Sequence, residues 1–300
     1  MYHAKQSGRD RSADAAELVS TDVFPKMALR YLDSAGIAGR KAQLARVSEA
    51  LKKVAEGTSQ LIIAEGEPGM GKTSFLATIQ ENLEKTRLRP IRITGVVQEA
   101  FRPYYMAAYI AMGLMNQLPD KGLSVLESLA EKEITRLSQV IPQLQGGIPP
   151  AAEDDPRERE AIFEAFTRFL SRLAGKQPLV LLIDDFHFCD PASLHLIRML
   201  MKSEDLLIFV CATASLEEQT AGESVPLELF RNAYTEELDI QSFVLTPLAE
   251  EDIDKFLRML FTGLDLPTGL GSEMARVTQG NPLFLVELIR KMIRDGHIFM

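Results

Sequence analysis

Cysteine is scarce in this 300-residue chain: Cys189 and Cys211 are its two examples, and they form no metal-like spacing. Two isolated thiols fit a reducing cytoplasm, which is the expected location. Long apolar runs are missing as well. The longest, Leu206 to Ala212, is far too short to span a bilayer, and the first residues lack the basic-then-apolar layout of a secretion signal, so no membrane partner is expected. Positive charge is in deficit, with 33 Lys and Arg against 42 Asp and Glu and a net charge of −9. The global field therefore opposes binding to a phosphate backbone, which makes nucleic acid an unexpected partner for this segment unless a local basic face exists. What remains is the composition of a globular protein, 46% hydrophobic and 25% charged, long enough for one large or two modest domains.

Against that background one stretch stands out. Gly66-Glu67-Pro68-Gly69-Met70-Gly71-Lys72-Thr73 fits G-x-x-x-x-G-K-[ST], directly after the apolar Leu61-Ile62-Ile63-Ala64. The glycines let the backbone wrap a phosphate with its N–H groups turned inward, Lys72 reaches the β/γ-phosphates, and Thr73 holds Mg²⁺ at a helix start. Ser74 to Leu83 carries apolar residues at Phe75, Leu76 and Ile79, as the strand–loop–helix context requires. Glu67, Pro68, Gly69, Met70, Gly71, Lys72, Thr73 and Ser74 are thus the expected phosphate-binding residues. No N-K-x-D guanine-reading motif occurs in the chain, so ATP is expected in preference to GTP.

From Ile91 onward short apolar runs alternate with longer helical patterns, which predicts an α/β fold with a mostly parallel sheet covered on both faces. Five strands are expected, at Leu61–Glu65, Pro90–Gly95, Leu179–Asp184, Leu206–Ala212 and about Leu238–Leu245, the last with the alternation of a half-covered edge. Leu44, Val47, Leu51 and Val54 form one helical stripe, and Ile162, Phe163, Phe166, Phe169, Leu170 and Leu173 a second, both read as core. Pro142 to Pro156 has no periodicity and is rich in breakers and acids, which predicts a flexible loop inside one domain. After Thr246-Pro247-Leu248 the pattern turns wholly helical, with stripes at Ile253, Phe256, Leu257 and Leu260 and at Phe284, Leu285, Leu288, Ile289 and Met292. The domain reading is residues 1–35 as a linker, 36–247 as the phosphate-loop domain, and 248–300 as a small helical lid.

Hydrolysis needs acids set against Mg²⁺ and water. Leu179-Val180-Leu181-Leu182-Ile183-Asp184-Asp185 supplies them, delivering Asp184 at the carboxyl end of a buried strand to hold the metal and Asp185 to orient the attacking water. Aspartate is one methylene shorter than the glutamate many fast ATPases place there, so slow turnover is expected. Asp190 and Pro191 read as the N-cap and first position of a helix. His187 is either a contact to nucleotide or partner or a satisfied loop residue. Thr213, ending the fourth strand, is either a γ-phosphate contact or an exposed strand end.

Gly39-Arg40, the phosphate loop, Asp184-Asp185-Phe186-His187-Phe188-Cys189-Asp190-Pro191-Ala192-Ser193-Leu194 and Gly280-Asn281-Pro282-Leu283-Phe284-Leu285 together resemble the ATPase module of STAND-type regulators within the AAA+ group, over about residues 36–296. The resemblance implies that Gly39 and Arg40 lie near the adenine, that the double acid completes the Mg²⁺ site, and that Pro282 contacts the base; Gly-Asn-Pro is also an ordinary turn before a helix. Two departures stand out. Thr213-Ala214-Ser215 offers no arginine after the fourth strand, and Leu283 stands where related replication-origin ATPases carry a sensor arginine, which argues against DNA loading. Arg231 is either a finger for a neighbour's phosphate or a surface arginine. Met1 to Asp10 is similar to the closing helix of GGDEF diguanylate cyclase domains, which implies a piece of a longer signalling protein whose adjacent domains or protein partners receive its output.

The expected function is an ATP-binding, slowly hydrolysing regulatory switch, with Lys72, Asp184 and Asp185 as catalytic residues, Thr73 and Asp184 as metal ligands, and ATP/ADP and Mg²⁺ as its ligands. A nucleotide-stabilised interaction module without turnover and an AAA+ nucleic-acid loader are the alternatives.

Overall fold

The computed structural model describes residues 39–86, 88–145, 156–216, 225–234, 237–261 and 266–295. The GGDEF-like residues 1–10 and most of the expected loop, residues 146–155, lie outside the described residues. The chain divides into two compact units, one spanning Arg40–Thr246 and one holding Gly39 together with the described residues from Pro247 on.

In the larger unit, helix α1 (Lys41–Ala55) leads into β1 (Gln60–Gly66), followed by α2 (Lys72–Glu84), β2 (Ile91–Thr94), α3 (Tyr105–Gln117), α4 (Pro119–Glu127), α5 (Glu131–Val140), α6 (Pro156–Ala174), β3 (Leu179–Asp184), α7 (Pro191–Met201), β4 (Ile208–Ser215), α8 (Val225–Tyr234) and β5 (Ile240–Val244). The five strands form one sheet in the order β2-β3-β4-β1-β5, with every neighbouring pair parallel. The α/β, five-stranded expectation therefore holds. Where the expected bounds slip, at β4 above all, Thr213-Ala214-Ser215 continues the strand, buried throughout, because its parallel pairing with β1 runs on through Gly66↔Ser215.

Strand alternation sorts the core into two faces. Leu61, Ile63, Leu181, Ile183, Val210 and Ala212 share one cluster with Phe166, Phe169 and Leu170 of α6 and with α3 and α7. Residues of the other parity, such as Ile62, Val180, Leu182 and Phe209, are buried as well, with α1 and α2 packing against the strands. All six residues of the α6 stripe are buried; of the α1 stripe Val47 and Val54 are buried, with Ala50, while Leu44 and Leu51 are half-buried. Pro142–Gln145 form a short 3₁₀ turn and Pro156 opens α6, so the ends of the expected flexible loop are ordered structure.

The smaller unit packs α9 (Glu250–Leu260), α10 (Leu270–Thr278) and α11 (Pro282–Arg294) around Ile253, Phe256, Leu257, Leu260, Met274, Leu285, Ile289 and Ile293. One expectation fails within it. Phe284 is 59% exposed, because the inward line of α11 recurs at every fourth residue from Leu285 through Ile289 to Ile293, and Phe284 falls off that line.

Candidate functional site

The phosphate loop leaves the carboxyl end of β1, an interior strand between β4 and the edge strand β5, and that is the end at which open α/β folds place ligands. Gly69 and Gly71 take φ of +82° and +83°, a left-handed backbone that other residues adopt at a cost. Gly71 is the N-cap of α2 and brings no side chain to it, so the amides of the first turn face the loop's hollow. The Lys72 ammonium folds over the same hollow, donating to Gly66 O at 2.9 Å and Glu67 O at 3.2 Å. Met70 is buried beneath, while Glu67, Pro68, Thr73 and Ser74 are exposed. Backbone donors, one ammonium and an exposed hydroxyl at a helix start are what a phosphate chain needs.

The acids arrive from two strands away. Asp184 ends β3 and is 3% exposed; parity places it on the sheet face that α2 covers, together with Arg92 of β2 and Thr213 of β4. The Thr213 hydroxyl donates to Asp184 Oδ1 at 2.5 Å and accepts from the Asp185 amide at 3.1 Å. Thr213 is fully buried, so the exposed-end reading is corrected: its hydroxyl fixes the acids rather than facing solvent. Arg92 is the residue that the sequence reading missed. One of its guanidinium nitrogens lies 3.5 Å from Asp184 Oδ2 and donates to Thr73 O at 3.3 Å, so one cation touches both residues expected to ligate the metal. A positively charged group already sits against a buried carboxylate and a helix start. That donor set fits a hard divalent cation such as Mg²⁺, which prefers oxygen ligands.

Asp185 follows in the left-handed region, φ 51°, and opens the 3₁₀ turn Phe186–Phe188. The space for it comes from Gly95, beyond β2: a Cβ there would lie 2.2 Å from Asp185 O, and the Gly95 amide donates to Asp184 O at 2.8 Å. His187 is 2% exposed; its Nδ1 accepts from the Ser215 amide at 3.3 Å and its ring lies 4.0 Å from that of Phe188. Asp190 caps α7 by accepting from Ser193 N at 2.8 Å, as expected, and also accepts from Tyr104 N at 2.8 Å and Met106 N at 3.3 Å at the start of α3. Ser193 Oγ accepts from Ala107 N at 2.9 Å, completing the second cap.

Two expected residues have structural partners of their own. Arg40 is 3% exposed and donates to Met70 O at 3.2 Å and Thr246 O at 2.6 Å, tying the phosphate loop to the end of the sheet unit. Arg231 pairs with the buried Glu65 at 2.6 Å, so it is neither an isolated surface arginine nor displayed for a neighbour. Glu65 is the residue just before the loop's first glycine, and its pairing with Arg231 was not visible in the sequence. Gly39 and Pro282 belong to the smaller unit. Gly39 has φ +72° and lies against Asp252 and Leu248. Pro282 is the first residue of α11, behind Asn281, whose side chain accepts from Leu283 N and Phe284 N; Gly280 and Leu248 are joined by a backbone hydrogen bond of 2.8 Å.

A segment of the hybrid signal transduction histidine kinase G of Dictyostelium discoideum is 27% identical over 179 residues, 55% of this chain and 5% of that protein. Among solved structures, the Aeropyrum pernix ORC1 protein in complex with DNA superposes with a TM-score of 0.52 at 17% identity, covering 87% of this chain and 61% of that one. The AMPPCP-bound DnaA of Aquifex aeolicus gives 0.41 at 15% identity over 88% and 69% of the two chains. This chain thus spans a small fraction of the curated relative and less than two thirds of the ORC1 chain. Residues 37–211, from two residues before Gly39-Arg40 through the phosphate loop and the paired acids into β4, match the family described as the AAA ATPase domain, and the chain belongs to that family.

Proposed function

We propose that the chain is an ATP-binding, slowly hydrolysing regulatory switch of the STAND type, carried within a longer signalling protein. The observation that carries this reading is the contact of one Arg92 nitrogen with both Thr73 O and the Asp184 carboxylate, because it brings the start of α2 and the end of β3 to one point. In this reading Lys72 leaves the loop carbonyls and neutralises phosphate charge, the first-turn amides of α2 hold the phosphate oxygens, and Asp185 orients the attacking water. Thr73 and Asp184 would hold Mg²⁺, which when bound supplies charge neutralisation at the phosphates. Gly39, Arg40 and Pro282 stay with the base on the strength of the resemblance. The likeness to a segment of a signal transduction histidine kinase supports the placement in a multidomain regulator.

Mg²⁺-dependent ATP binding by the wild type and by Lys72→Ala tests the reading. Loss of binding in the variant is expected; equal affinity overturns it.

A holding module without turnover is the second reading, favoured by one observation: the Thr213 hydroxyl is engaged by Asp184 and the Asp185 amide. Phosphate release separates the two. Activity that disappears in Asp185→Asn supports the switch, and tight binding with no release supports the holding module.

A further inference from the structure

A cavity of about 730 Å³ opens in the sheet unit between the start of α3, the end of α5, the first turns of α6 and the length of α7 from Pro191 to Met199, and the proposed nucleotide chemistry makes no use of it. Its volume lies in the range of about 300–1,000 Å³ typical of small-molecule sites. Tyr104, Ile162, Phe163 and Met199 give it an apolar lining. Three basic side chains belong to that lining, Arg159, His195 and Arg198, beside the Gln139 amide, with Glu160 as the acid among the lining residues.

The charge of the cavity is legible at His195, whose ring lies 4.7 Å from that of Phe163. Burial lowers its proton affinity first, then the guanidiniums of Arg198 and Arg159. Arg198 is held from outside, its guanidinium 4.4 Å over the Tyr234 ring and 3.1 Å from Glu237, so its charge is fixed in place. A neutral imidazole, two guanidiniums felt at one point and an apolar lining suit a ligand with a flat or branched hydrocarbon body and a single negative group.

We infer that this cavity is a binding site for a small amphipathic organic anion, a monocarboxylate with an aromatic or bulky apolar body, whose charge meets Arg159 beside His195 and whose body lies on Phe163 and Ile162. The site is connected to the acids of β3 through the chain itself. Its walls Tyr104 and Pro191 flank the Asp190 cap, and Asp190 follows Asp185 by one 3₁₀ turn and Cys189. Ligand occupancy would therefore press on the segment that positions Asp185, making the cavity an input for the switch. That coupling alone rests on the function proposed above; the binding does not.

The test is a titration of the nucleotide-free protein with 1-naphthaleneacetate and, in parallel, with its uncharged isostere 1-naphthaleneacetamide, read by the His195 ring resonances. A saturable shift is expected with the carboxylate, with affinity at least about tenfold above that of the amide, or about 1.4 kcal/mol. Arg159 is an exposed helix residue, so Arg159→Gln folds, and it should reduce carboxylate affinity to the level of the amide while leaving the amide unchanged. Lys72→Ala should bind both probes as the wild type does, which separates this result from any failure of the nucleotide reading. No saturable shift, or equal affinity for carboxylate and amide, overturns the inference.

Discussion

The Thr213 hydroxyl is 2.5 Å from Asp184 Oδ1, and through that contact β4 fixes the acid delivered by β3. Because the same oxygen accepts from the Asp185 amide, one side chain sets the position of both acids.

Thr213→Val keeps shape and removes the hydroxyl, leaving a buried carboxylate and a backbone N–H each short of a partner. A loss of about 1–3 kcal/mol is expected in urea unfolding, with phosphate release falling further than ATP affinity. Thr213→Ser restores the hydroxyl and should recover most of both. A Val variant as stable and active as the wild type would remove the positioning role.

Gly95→Ala probes the neighbouring contact. A methyl group there collides with Asp185 O, so either the 3₁₀ turn shifts or the end of β2 moves, at a cost of about 1–3 kcal/mol. Phosphate release should drop while the affinity for ADP changes little, since the loop Gly66–Thr73 lies elsewhere on the sheet. Isothermal titration with ADP alongside a phosphate-release assay distinguishes this from general unfolding.

Arg92→Ala makes metal dependence steeper. Without Mg²⁺ the guanidinium is the positive charge between Asp184 and the start of α2; its removal sets an uncompensated carboxylate near bound phosphates. ADP affinity measured in EDTA should fall about tenfold, or about 1.4 kcal/mol, whereas affinity in Mg²⁺ should hold. Equal losses under both conditions would mean that Arg92 merely packs.

His195 gives a pH prediction with a definite sign. Its folded proton affinity lies below the ordinary value of 6.5, through burial and then Arg198 and Arg159. The unfolded chain therefore binds more protons between the folded value and 6.5, so this residue's contribution is fully present above 6.5 and is lost as pH falls through the folded value. Tyr104, Arg159, Glu160 and Arg198 line the same cavity. Urea melts of the wild type should weaken on acidification from pH 7, and those of His195→Gln should weaken less.

The parts of the site that lay open in the sequence were those written in consecutive residues. A glycine-rich bend followed by Lys72-Thr73, and an apolar run ending in Asp184-Asp185, each bring their chemistry within a few positions. Asp190 and Pro191 were equally plain, since capping is local. What escaped was contact between strands. Arg92, Gly95 and Thr213 matter because sheet order sets β2 and β4 on either side of β3, and no spacing within one segment reports that order. The Glu65–Arg231 pair likewise joins residues 166 positions apart. Phe284 was misplaced for a subtler reason: it is one position off the inward line of Leu285, Ile289 and Ile293, and apolar spacing alone does not say which of two adjacent lines faces in.

The double cap at Asp190 ties together two helices far apart in the chain. If its carboxylate is the shared anchor of α3 and α7, neither helix can fray at its start without releasing donors of the other. The amides of Met106 and Ser193 should then exchange with deuterium at a common rate, as one cooperative piece of the molecule.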